Sequence, residues 1–85
     1  MFRSLVIHEI TQESYEHTLE ATQAAANLLA DRLNQLAING PIDNISLQSL
    51  NFDAVPTRTT RYDYAGETLE IQYKGRVTGV LIYNQ

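Results

Sequence analysis

Residues 11–38 carry an apolar seam whose regularity commits them to a helix. Tyr15, Leu19, Thr22, Ala26, Leu29, Leu33 and Leu36 recur at alternating steps of four and three. That is a 3.5-residue period held for about three heptads. Ala24, Ala25, Leu28, Ala30 and Ala37 widen the stripe, and its small residues allow another surface to approach closely. Thr11 is placed as an N-cap, with Ile10 and Tyr15 at hydrophobic-staple spacing. Glu13 and Glu16 set negative charge at the positive end of the helix dipole. Asn39-Gly40 supplies a stop, and Pro41 forbids continuation. Such a helix is roughly 40 Å long. A compact chain of this size is only about 30 Å across. The expectation is a helix that overhangs its own sheet or meets another chain.

One domain is expected over residues 1–85, since a chain of 85 residues cannot make two ordinary cores. Nothing staples it: the chain has no cysteine, hence no disulfide and no thiolate site. The apolar run Leu5-Val6-Ile7 is too short for the apolar region of a secretion signal, and no stretch approaches the ~20 apolar residues of a membrane span. A cytoplasmic protein is expected.

Strand signals lie on both sides of the helix. Residues 2–10 read as a central strand, apolar on both faces. Residues 45–50 read as a short strand, and residues 51–56 as irregular chain anchored by Phe52 and Val55. Residues 59–64, 67–73 and 76–83 read as a three-stranded meander, with Ala65-Gly66 and Lys74-Gly75 as its two-residue turns. The fold class expected is α+β: one long N-terminal helix on a mostly antiparallel sheet, in the order β-α-β-β-β-β. If the first two strands are neighbours, their crossover is right-handed.

The turns imply a register. Tyr62, Tyr64, Leu69, Ile71, Tyr73, Val80 and Ile82 share the face under the helix. Val77, Leu81 and Tyr83 fall on the opposite face, where Arg61 stands across from Glu70. An apolar stripe on the wet side of a sheet is a second sign of a partner.

Chemistry finds little support. Glu13 and His17 sit four apart on the expected helix, beside His8, Glu9, Glu16 and Glu20, but no second helix completes a metal or acid–base site. No nucleophile motif and no phosphate-binding glycine loop is present. No catalytic role, cofactor or metal is expected. Arg58, Arg61, Lys74 and Arg76, interleaved with hydroxyl and aromatic residues, form a candidate anion-binding set of the kind single-strand binders use. The charge balance opposes it. The net charge is −4, with two basic against seven acidic side chains in residues 1–56.

The reading that follows is a small interaction module: a regulatory, adaptor or assembly subunit, a homodimer or bound to a larger protein. Its contact residues would be Ala26, Leu29, Leu33 and Leu36 on the seam and Val77, Leu81 and Tyr83 on the sheet. A nucleic-acid or polyanion binder using the four cations is the alternative. A small inhibitor acting by edge-strand pairing is a third.

Overall fold

A computed structural model describes the backbone of all 85 residues and every side chain except those of Thr59, Arg61 and Asp63. Four elements follow one another: β1 (Phe2–Ile10), α1 (Thr18–Ile38), β2 (Asp43–Asp63) and β3 (Gly66–Asn84). They build one antiparallel sheet in the order β1-β3-β2 with α1 on one face. The α+β class therefore holds, with the four strands expected after the helix reduced to two. β1 and β2 are not neighbours: they run parallel to each other, with β3 in the slot between them.

The meander is replaced by a single long hairpin. Lys74-Gly75 is not a turn, and β3 runs straight through it. The remaining turn is Tyr64-Ala65, with Asp63 opposite Gly66, one residue earlier than expected. Losing the second turn has a large consequence. A two-residue turn exchanges odd and even positions across a hairpin, so removing it swaps the two faces beyond it. Leu69, Ile71, Tyr73, Gly75, Val77, Gly79, Leu81 and Tyr83 now share one side of one strand, the side facing α1. Val77 and Leu81 are fully buried and Tyr83 nearly so. Their expected place on the outer face is thus corrected, and Val80 and Ile82 move outward in exchange. The irregular segment 51–56 is likewise strand, part of β2.

The helix is shorter than its seam. Thr11 is no N-cap. Its N–H donates to the Gly75 carbonyl at 2.8 Å, and its hydroxyl accepts from the Gly75 N–H at 3.0 Å while donating to the Glu13 carbonyl. Tyr15 then exchanges two backbone hydrogen bonds with Tyr73, each 2.7 Å. Residues 11–15 therefore extend β1 along β3, and edge pairing takes the backbone groups a helix would need. His17, in extended conformation, precedes a helix of 21 residues. At ~1.5 Å per residue that is about 31 Å, no longer than the body it covers.

The helix also turns a different line to the sheet. Ala21 and Ala25 are fully buried, while Leu19 and Ala26 face solvent. Leu28, Leu29, Leu33 and Leu36 flank the core of Ile7, Ala25, Val77, Leu81 and Tyr83. The small residues serve close approach. A Cβ on Gly75 would lie 1.9 Å from the Ala21 carbonyl oxygen, so the first turns of α1 rest directly on the β3 backbone. At the other end, Gln85 donates to the carbonyls of Leu36 and Gly40 at 3.1 and 3.3 Å. The Leu36 carbonyl, which also accepts from the Asn39 N–H at 3.1 Å, thus gains a second donor at the helix end.

Candidate functional site

Length is the outstanding property of the molecule. Its radius of gyration is 16.9 Å and its extents are 61 × 22 × 16 Å. A compact chain of this size has a radius near 12 Å. The 19 residues of β3, at about 3.3 Å each, account for the long axis. β1 pairs with β3 only from Arg76 onward, and Tyr15 reaches Tyr73. Beyond that point β2 and β3 continue alone. Residues 58–71 form a two-stranded arm of six residue pairs, about 20 Å long, ending at Tyr64-Ala65.

The arm's inner face continues the face that α1 covers in the body, yet no described residue covers it. Opposite side chains in an antiparallel pair share a face. The inner face is therefore Ile71 with Arg58, Leu69 with Thr60, and Glu67 with Tyr62. Tyr62 is 76% exposed, Leu69 61% and Ile71 58%, and Tyr64 projects freely from the turn. Ribbons of two strands are marginal in water unless they pack on something. The whole chain exposes 6094 Å². A compact 9.6 kDa protein exposes about 5,100 Å², so roughly 1,000 Å² is in excess.

The expected anion-binding set does not come together as one patch. Arg58 lies on the inner face of the arm, opposite Ile71, while Lys74 and Arg76 are on the outer face of β3. The Arg61 side chain, and with it the expected Arg61–Glu70 pair, lies outside the described residues. Arg76 is already engaged. Its guanidinium donates Nε to Asp53 Oδ1 at 2.9 Å and Nη2 to Asp53 Oδ2, a bidentate cross-strand pair. Hydrogen bonding from Arg76, with its charge, holds the Asp53 carboxyl below its ordinary 3.8. Asp53 in turn raises Arg76. A carboxyl depressed by folding adds stability above its unfolded pKa and loses it as pH falls through the folded one. The melting temperature should therefore drop below about pH 4. Asp53→Asn should flatten that dependence; a variant with the wild-type acid slope would show the pair to be energetically silent.

Glu13 lies in the extended segment, so its expected helical spacing to His17 does not form. Among the described residues no group of three or more His, Cys, Asp or Glu is placed to hold a metal. Nor is any helix among them long and apolar enough to cross a membrane. The outer sheet face carries an open hollow of about 330 Å³ above Gly79, lined by Val6, His8, Ser49, Asn51, Thr78 and Val80. It presents one titratable side chain, His8, and no nucleophile–base pair. The arm was missed in the sequence because the glycine at 75 read as a turn. The unbroken alternation from Leu69 to Tyr83 was the signal for it.

Comparison with protein-family models, with curated proteins and with solved structures gives no match.

Proposed function

We propose that this chain is a small non-enzymatic protein–protein interaction module, a regulatory or assembly subunit whose contact element is the arm. The observation that carries this is the uncovered inner face of residues 58–71, where Tyr62, Leu69 and Ile71 stand exposed among Arg58, Thr60 and Glu67. Leu29, Leu33 and Leu36 of the seam and Val77, Leu81 and Tyr83 pack in or against the core, and Ala26 stands alone on the solvent side, so the contact role passes to Tyr62, Tyr64, Leu69 and Ile71. Aromatic anchors with an apolar centre and a polar rim are the usual composition of a protein contact.

The test is affinity capture at moderate salt with the wild-type chain and with the double variant Leu69→Lys/Ile71→Lys. Both side chains are exposed, so the substitutions should shift stability by only about 0.5 kcal/mol each. Wild-type protein should retain a protein partner, its own copy or a foreign one, in stoichiometric amount, and the variant should lose it. Equal retention by both would remove the arm from the contact. Retention of DNA or RNA that falls steeply with salt would favour the polyanion alternative instead.

A further inference from the structure

We infer that the arm is covered by a second copy of this chain, the two arms stacking inner face on inner face about a two-fold axis beside Leu69. The inference rests on the arm being the contact element, and it names the occupant. Three observations meet here.

The first is area. The excess of roughly 1,000 Å² is shared by the two faces and edges of the arm, so the inner face offers about half of it, enough for an interface at the small end of the specific range.

The second is length. Reversing the arm about Leu69 brings residue 65 of one copy over Tyr73 of the other. Helix α1 occupies the same face from Gly75 onward, where the Ala21 carbonyl sits. The helix begins at Thr18, about one turn before the Ala21 contact, so each turn ends against the start of the other copy's helix. The uncovered stretch has the length of the element that would cover it.

The third is charge. The inner face carries Arg58 near the root and Glu67 near the tip. Reversal sets the root of one arm against the tip of the other. Arg58 comes to lie over the partner's Tyr62, and Ile71 over the stem of the partner's Glu67, whose carboxylate reaches across to Arg58 on the adjacent strand; the two-fold repeats both contacts. Parallel stacking, root on root, would drive the two bodies into each other. Of the two face-to-face stacks, the isologous antiparallel one remains.

The chain has no cysteine, so a single introduced thiol reports one position. Facing sheets stand about 10 Å apart, too far for a direct disulfide, so a short bis-maleimide is the reporter, and with it Leu69→Cys should give a covalent dimer of about twice 9.6 kDa. Val6→Cys, exposed on the outer sheet face, should not. Charge reversal supplies an independent reading. Arg58→Glu and Glu67→Arg should each weaken the dimer roughly tenfold by light scattering or sedimentation. An equimolar mixture of the two should restore it, because each heterodimer regains both attractive pairs. A purified wild-type chain that stays monomeric at every concentration overturns the inference. If that monomer still captures a foreign protein through Leu69 and Ile71, the interaction-module reading stands while the second copy is lost. Crosslinking through Val6→Cys but not Leu69→Cys, or a mixture no tighter than its components, also overturns it.

Discussion

Gly75→Val is expected to leave the chain without a cooperative folded state. The reason is a backbone, not a side chain. A Cβ at this position would sit 1.9 Å from the Ala21 carbonyl oxygen, 2.8 Å from its carbon and 3.1 Å from the Ala25 Cβ. A flexible side chain could swing aside, but a helix carbonyl cannot. To make room, α1 would have to lift from β3 along its first turns. Ala21 and Ala25, both fully buried, would lose their contacts, and Val77 would lose its cover. Overpacking a well-filled site costs about 1–3 kcal/mol where neighbours can adjust, and more where they cannot. Folded domains hold only about 5–15 kcal/mol in total, and small ones sit low in that range. Gly75 also bonds both backbone groups to Thr11, so displacing it disturbs the β1 extension. Gly66→Ala is the control. Nothing lies within 4 Å of a Cβ there, although the φ of +112° strains any side chain. It should cost about 1 kcal/mol. A thermal melt followed by circular dichroism separates the cases. A sigmoidal transition for Gly75→Val within a few degrees of wild type would refute the close approach.

The same glycine marks where the sequence could be read and where it could not. The existence of the helix and its end, the strand before it and a hairpin turn within one residue of its true place were legible, because periodicity and turn chemistry are local. Gly75 was ambiguous, since a glycine between alternating runs serves a turn and a close backbone approach equally well. What decides is a partner 54 positions away in the chain, Ala21, and no window of local sequence contains it. Choosing the turn inverted the faces from residue 76 onward and sent three core residues outward. Pro56 misled in a related way. It broke the strand signal of residues 51–56, yet it stands opposite Tyr73, whose backbone groups are spent on Tyr15. The Pro56 nitrogen therefore faces the free edge of β2, where a missing donor costs nothing and discourages further pairing. The seven residues lost from the helix start have the same kind of cause. Thr11 to Tyr15 have helical periodicity, but β3 offers their backbone a better partner. The arm was legible only as a pattern, the eight-position alternation from Leu69 to Tyr83. Its meaning lay in the helix ending its cover at Gly75.

Leu81→Lys should unfold the protein at neutral pH, whereas Leu69→Lys and Ile71→Lys should not. All three leucine and isoleucine positions lie on the same face of the same strand. They differ in cover. Leu81 is fully buried, with Leu5 of β1 and Leu47 of β2 as its cross-strand partners and α1 above. Truncating such a leucine alone costs about 2–5 kcal/mol. An ammonium group there adds several kcal/mol of desolvation, with no carboxylate at either cross-strand position to offset it. The introduced amine would relieve part of this by staying neutral, which depresses its folded pKa. The unfolded chain then binds more protons than the folded one, so stability should recover partly as pH rises toward about 10. Recovery at alkaline pH is the signature of a buried lysine and would not follow from a mere loss of packing. A Leu81→Lys chain that melts like the wild type at pH 7 would place residue 81 on an open face. That result would restore the turn at Lys74-Gly75 and abolish the arm, because the two registers assign opposite faces to every residue from Arg76 onward.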